Sequence, residues 1–312
     1  MSLLVLDPGL QSLLVGARRL HNRSLGVPIG GAADQSALTL GNALVGNSAC
    51  TTAIEISLRG PVLRANANVG AVVFGAGFEI ASDRQSITAG TTFTLIPGET
   101  LRIGGAVRGM RTYLCVAGGF QSPLVLDSLS ALAPISAGAE LICPASTISR
   151  RFLAADAPSA LPREKLQELR FLPGAQSDWF DRAQFISQAF IVTAASNRMG
   201  LRLKSEPLRT GGPELTSEPV SIGTVQVTND GQCIILGVDG QTIGGYPKIA
   251  HVIQADFDKI GQLRPNDQIR FVSISLEDAE SAFLRQHAEL HRWQARIAAR
   301  LDCTGILPSS PL

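Results

Sequence analysis

Aromatic residues are scarce, at 5% of 312 residues, with two tryptophans and two tyrosines. Neither sign of charge dominates: 27 lysines and arginines stand against 26 aspartates and glutamates, a formal net charge of +1. No block of like charge interrupts the chain, so nucleic acid and anionic membrane are not expected partners. No apolar run approaches the roughly 18 residues that a membrane-spanning helix needs. The N-terminus, where Asp7 and Pro8 follow a short apolar stretch, does not read as a secretory leader. Five widely spaced cysteines (Cys50, Cys115, Cys143, Cys233, Cys303) form no Cys-x-x-Cys pair, which excludes zinc-ribbon and thioredoxin readings. They are expected to be reduced thiols of a cytoplasmic protein. Neither a phosphate-binding Gly-x-x-x-x-Gly-Lys-Ser/Thr nor a nucleophile elbow Gly-x-Ser-x-Gly occurs. His287 and His291 are four residues apart, but within His-Ala-Glu-Leu-His, which reads as a solvated helix face; no metal site is expected.

What the chain does have is glycine (31 residues), proline (17) and many short apolar runs between turn residues. This pattern predicts a mainly β fold of short strands. The expected strands are 70–74, 91–96, 101–103, 112–117, 190–194, 222–227, 234–238 and 268–272. Helices are few. Asp34 is placed to cap one running to about Val45, residues 162–168 suggest a short one, and Leu276 to about Leu301 is the clear case. In that last helix Leu276, Phe283, Leu290 and Ile297 recur every seven residues, with Ala279 and Trp293 on the same face, a stripe expected to be buried. Ser275 followed by Asp278 resembles a capping box.

A weak internal repeat also shows. Ile96-Pro-Gly-Glu-Thr-Leu-Arg-Ile103 and Arg264-Pro-Asn-Asp-Gln-Ile-Arg-Phe271 share a proline, a turn residue, an acid and an apolar-Arg-apolar strand. Two copies of one β-barrel or sandwich, or two hairpins with common turn chemistry, explain it. The polar stretch 149–163 is the natural seam. The expected division is a β domain over 1–150, a second over 151–275 and a helix with tail over 276–312.

The most informative segment is Gly240-Gln-Thr-Ile-Gly-Gly-Tyr-Pro-Lys248, between two apolar strands. A hairpin turn needs only one or two special residues. Here Gln241 presents both halves of an amide, Gly244 and Gly245 permit close approach of backbone, and Lys248 brings a point charge. The bland alternative is a wide irregular turn. A second candidate is Ser196-Asn-Arg-Met-Gly200, where Asn197 can begin a turn and Arg198 offers a planar fork to a carboxylate or phosphate. A third, Gly26-Val-Pro-Ile-Gly-Gly-Ala-Ala-Asp34, leads into a helix, and its structural reading is preferred because Asp34 satisfies the helix start.

With these residues in view the chain resembles the biotin-dependent carboxyltransferase family, which includes KipA, the C-type subunit of 5-oxoprolinase, allophanate hydrolase subunit 2 and the carboxyltransferase part of urea carboxylase. The resemblance runs from about Asp7 to Phe271. It rests on Ala194-Ala-Ser-Asn-Arg-Met-Gly-Leu-Arg-Leu203, Thr216-Ser-Glu218, Ile222-Gly-Thr-Val-Gln-Val227 and Asp239-Gly-Gln-Thr-Ile-Gly-Gly-Tyr-Pro-Lys-Ile-Ala250. Departures gather in the N-terminal half, where the family's Ser-Gly-Ala-Met-Asp reads Gly30-Gly-Ala-Ala-Asp34. The resemblance implies two fused cyclophilin-like β-barrels with few helices and a C-terminal helix. It implies a subunit of an ATP-dependent 5-oxoprolinase, a hydrolase that opens 5-oxoproline to glutamate, with ATP as co-substrate. Its partners are then a B-type (KipI-like) subunit and an A-type subunit. The alternatives are transfer of CO2 from carboxybiotin on a separate carrier to a urea-like amide, and a regulatory module binding a kinase-inhibitor-type B partner. Expected catalytic residues are Glu218, to move a proton, and Arg198. Arg198 or Lys248 would neutralise a carboxylate or phosphate, and Gln241 would orient the amide. Expected substrate contacts are Gln241, Thr242, Gly244, Gly245, Tyr246, Lys248 and Asn197.

Overall fold

In the computed structural model the described residues are 1–153, 166–209, 211–213 and 215–303. The chain is mainly β, as its composition predicts, and it divides into two compact units that interleave along the sequence. The first comprises Met1–Arg18, Asp34–Leu161 and Ala288–Leu312; the second comprises Arg19–Ala33 and Pro162–His287.

The first unit is built on an eight-stranded sheet. Its path runs through Gln11–Val15, Ala53–Ser57, Thr100–Val116, Val62–Ala65, Ser2–Asp7 and Glu140–Ile142. Val69–Ser82 pairs with Thr100–Val116 and with Phe93–Leu95 beside that path. The register of the two long strands slips repeatedly between Gly75 and Ile80, and such bulges bend a ladder. Leu3, Ile54, Leu63, Val73, Leu101 and Leu114 face the core. The helix Gln35–Leu44 starts as its sequence predicts, with the Asp34 carboxylate accepting from Ala37 N at 2.9 Å. Beneath it lies a sealed polar cluster. Tyr113 Oη donates to Glu55 Oε2 at 2.8 Å and accepts from Asp34 N at 2.8 Å. Arg111 Nε stands 3.3 Å from Glu55 Oε1, with both side chains fully buried.

The second unit is a closed seven-stranded barrel. Its strands follow the order Phe190–Val192, Gly200–Lys204, Cys233–Leu236, Thr224–Val227, Lys248–Val252, Leu166–Pro173 and Gln268–Ser273. Gln268–Ser273 closes the ring by pairing antiparallel with Phe190–Val192; its pairing with Leu166–Pro173 is parallel, and the other neighbours are antiparallel. Four phenylalanine rings cluster here. Phe171, Phe185, Phe190 and Phe271 pack edge-on or stacked, with the Phe185 and Phe271 rings 4.6 Å apart. Side chains of a strand alternate between faces. Val225 and Val227 therefore join the core, and Thr224 and Gln226 point to the opposite face.

The repeated turn is the same object in both units. Glu99 Oε2 accepts from Ile96 N at 2.9 Å, and Asp267 Oδ2 accepts from Arg264 N at 3.0 Å. Gly98 and Asn266, at φ 86° and 75°, take the left-handed corner. The following strand is tied in alike: Gly98 N donates to Ala65 O and Ala65 N to Glu99 O, as Asn266 N donates to Val192 O and Val192 N to Asp267 O.

Two expectations change. The short helix expected over 162–168 is not formed at 166–168, because Leu166 opens a strand that hydrogen-bonds along Gln268–Ser273; positions 162–165 lie outside the described residues. The C-terminal helix spans Leu276–Cys303, and Asp278 N donates to Ser275 Oγ at 3.0 Å as the capping box predicts. Its seven-residue stripe, however, is not buried at the first turn, where Leu276 is 62% exposed. Ala279 and Ala282 instead pack with Ile253 and Ala255, since small side chains let the helix lie close. Among the described residues no helix is long and apolar enough to cross a membrane.

Candidate functional site

The loop that follows Cys233–Leu236 does not make a simple hairpin. Its residues Ile243–Gly244 pair antiparallel with Glu218–Pro219 as a two-stranded ribbon, with Glu218 opposite Gly244. Val220 N donates to Thr242 O at 3.0 Å and closes the ribbon. This pairing carries Glu218 to the loop from a segment more than twenty residues earlier in sequence.

Lys248 then opens a barrel strand whose register against Thr224–Val227 slips once. The slip sets Gln226 opposite Lys248 and Thr224 opposite His251. Directly opposed residues share a face of the ladder, so four polar side chains gather on the face away from the barrel core.

Lys248 is buried, its side chain 5% exposed, and Nζ stands 2.5 Å from Glu218 Oε2. The two charges pair, and Glu218 Oε2 takes up one of the three donors of the ammonium. The Glu218 side chain is 42% exposed, and contact with the Lys248 ammonium holds its carboxyl below the usual range, with Gln176 assisting. Gln176 also fixes the lysine backbone: Lys248 N donates to Gln176 Oε1, and Gln176 N to Lys248 O, both at 3.1 Å. His251 Nδ1 lies 3.2 Å from Thr224 Oγ1. Burial lowers the His251 pKa, and the charge on Lys248 lowers it further.

Gly244 is where two amides meet. Gln226 Nε2 donates to Tyr246 O at 3.3 Å. A Cβ placed on Gly244 would stand 2.7 Å from both Gln226 Nε2 and Gln241 Nε2, so only glycine leaves both in place. Gly245 stands beside Ser217, whose Oγ would lie 3.4 Å from a Cβ built there.

At the start of the loop, Arg198 makes a clamp. Its Nε and Nη2 grip Asp239 Oδ2 and Oδ1 at 2.6 and 3.1 Å, and Nη2 reaches Gly31 O at 2.8 Å. Gly30 N donates to Val238 O at 3.0 Å, so the glycine pair is held on both sides of the turn. Arg19 is buried beside the same carboxylate; burial lowers its pKa, an effect that Asp239 opposes and Arg198 reinforces. Asn197 Oδ1 accepts from Met199 N at 2.8 Å and closes a local turn.

The fold thus brings Glu218, Gln241, Gly244, Gly245 and Lys248 together. Thr242 is buried in the ribbon, and Tyr246 is partly exposed with its carbonyl engaged by Gln226. Arg198 and Asn197 brace the loop where it begins. Sequence reasoning missed Gln176, Gln226 and His251. For Gln226 a signal existed, because Thr224-Val-Gln-Val227 alternates polar and apolar. Gln176 had none. Among the described residues no group of three or more His, Cys, Asp or Glu could hold a metal ion. Chemically, the site offers amide donors for a carbonyl, an ammonium for an anion and a carboxylate for a proton.

Known proteins put this geometry in context. The 5-oxoprolinase C subunit of Haemophilus influenzae is 34% identical over 302 residues, covering 94% of this chain and 97% of that protein. The urea amidolyase of Saccharomyces cerevisiae is 29% identical over 318 residues, covering 91% of this chain and 17% of that protein. The crystal structure of Kluyveromyces lactis urea carboxylase superposes with a TM-score of 0.84 at 25% identity, covering 94% of this chain and 29% of that one. The chain therefore spans nearly all of the first relative and under a third of the two urea-processing proteins. Residues 25–273 match the carboxyltransferase domain, subdomain A and B, and the chain belongs to that family.

Proposed function

We propose that this chain is the C-type component of an ATP-dependent 5-oxoprolinase and that its loop 241–248 binds the lactam. The observation that carries this reading is the pair of glutamine amides at Gly244, beside a lysine and a carboxylate. A lactam presents C=O and N–H side by side, and an amide side chain is the complement of that pair. Gln241 and Gln226 donate to the ring carbonyl, Gly244 and Gly245 let the ring approach backbone, and Glu218 moves a proton. Thr242 and Tyr246 shape the loop; Arg198, through Asp239, and Asn197 are positioning residues that keep its start in place.

ATP is the co-substrate of the assembled complex. The sequence has no phosphate-binding Gly-x-x-x-x-Gly-Lys-Ser/Thr motif. B-type and A-type subunits complete the enzyme, as the relative's designation as a subunit suggests. The free thiols of Cys50, Cys115, Cys143 and Cys233 fit a cytoplasmic location. Burial pushes the Cys233 thiol up to about 12, which keeps it inert.

The test is ATP-dependent conversion of 5-oxoproline to glutamate by the co-purified subunits. Gln241→Ala is expected to lower kcat/KM at least about tenfold, the scale of one lost polar substrate contact. Unchanged activity sinks the assignment of the loop. A second reading, carboxyl transfer from carboxybiotin on a separate carrier to a urea-like amide, is favoured by the likeness to urea amidolyase. The same donors suit a ureido carbonyl and a carboxylate. Urea-dependent decarboxylation of a carboxybiotinylated carrier, without any ATP-driven lactam opening, selects it.

A further inference from the structure

Resting on the loop reading above, we propose that Glu218 is a built-in stand-in for a carboxylate of the ligand: an amide that carries its own carboxylate displaces Glu218 from Lys248. Three features point to this exchange.

The first is the mismatch between the two partners. The Lys248 side chain is 5% exposed and that of Glu218 is 42% exposed. A buried ammonium needs an anion close by, since its desolvation is otherwise uncompensated. A half-exposed carboxylate does not need the lysine, because water solvates it when it swings away. The pair is therefore bound tightly at one end only.

The second is the number of donors. An ammonium has three, and the partner that the described residues give it is Glu218 Oε2, at 2.5 Å. A ligand oxygen can take up the others.

The third is the mounting of the two residues. Lys248 begins a strand of the closed barrel, and Gln176 binds its backbone N–H and carbonyl. Glu218 sits on a ribbon of only two residue pairs, Glu218 with Gly244 and Pro219 with Ile243. The lysine is the fixed member and the glutamate the movable one. Gly244, opposite Glu218 in that ribbon, is also where the Gln226 and Gln241 amides converge. A ligand with an amide at Gly244 and a carboxylate a short distance away would satisfy the amides and the lysine together.

The exchange has a chemical consequence. While paired, Glu218 is a weak base, because the ammonium stabilises its ionised form. Once displaced it becomes more basic, and this happens only with a ligand in place. The proton acceptor is armed by the substrate's own charge. Neutral amides such as urea or 2-pyrrolidinone leave Glu218 paired. The site therefore selects carboxylate-bearing lactams over uncharged amides.

Calorimetric titration of the full-length chain with 5-oxoproline and with 2-pyrrolidinone, the same ring without the carboxylate, tests this. Wild type is expected to bind 5-oxoproline at least about tenfold more tightly. Glu218→Gln, which removes the competitor, is expected to tighten 5-oxoproline about threefold or more and leave 2-pyrrolidinone unchanged. Lys248→Met should reduce 5-oxoproline to the level of 2-pyrrolidinone, and Lys248→Arg should keep the preference. If Glu218→Gln weakens 5-oxoproline, or Lys248→Met weakens both ligands equally, the exchange is wrong. Equal binding of both lactams that is lost in Gln241→Ala overturns the exchange and leaves the loop assignment standing. If neither lactam binds any form, both readings fall.

Discussion

Glu55 in the first unit and Glu218 in the second are both paired with a basic side chain, and they differ in everything around the pair. Glu55 and Arg111 are fully buried, and Glu55 also receives the Tyr113 hydroxyl, which accepts in turn from Asp34 N. Burial raises the Tyr113 pKa well above its ordinary value, and the Glu55 and Asp34 charges raise it further, so the phenol stays protonated and donating. Every member of that cluster holds another. Glu218 and Lys248 share one short contact, and the carboxylate end lies open. The first arrangement fixes a fold. The second leaves one member half exposed to water, as the proposed exchange requires.

The sharpest way to break this contrast is to remove the basic partner from each. Arg111→Met strands Glu55 in the core and is expected to cost about 3–5 kcal/mol, read as a lower urea midpoint in equilibrium unfolding. A loss below about 1 kcal/mol would mean that the cluster is not sealed as described. The same operation in the second unit, Lys248→Met, is expected to cost about 1 kcal/mol or less, because Glu218 can hydrate once released. If both substitutions cost the same, the two pairs do not differ in kind. The smallest effect is a pH dependence at His251. Its folded-state pKa lies below the ordinary 6.5, so the unfolded chain takes up this proton more readily. The contribution to stability is complete above about pH 6.5 and falls as pH drops from there toward the folded value. His251→Gln should flatten the change in Tm between about pH 7 and pH 5, and an unaltered slope would remove His251 from the account.

The strands, the Asp34 cap and the Ser275 capping box are legible in sequence because each depends on neighbours a few residues apart. The paired turns at Pro97 and Pro265 are legible for the same reason: an acid placed two positions after proline binds the backbone just before it. The loop 240–248 stands out by composition alone. Its partners do not, because they meet it through long-range pairing. Glu218 arrives by the ribbon, Gln226 and His251 by a register slip in the barrel, and Gln176 by a backbone exchange with Lys248 across more than seventy residues. Arg198 shows the opposite limit. Its fork suits a carboxylate, as its chemistry predicts, and the carboxylate the structure supplies is Asp239 of the same chain.

The passage of residues 19–33 into the second unit has a practical result for anyone who would divide the molecule. The polypeptide leaves the first unit after Arg18, returns at Asp34, leaves again after Leu161 and returns once more at Ala288. No single cut can liberate either half intact. A fragment starting near Leu166 would keep every strand of the barrel yet lack Gly30 and Gly31, which hydrogen-bond to Val238 and Arg198. Such a piece would contain the phenylalanine cluster of the barrel and lack one of the anchors of loop 240–248.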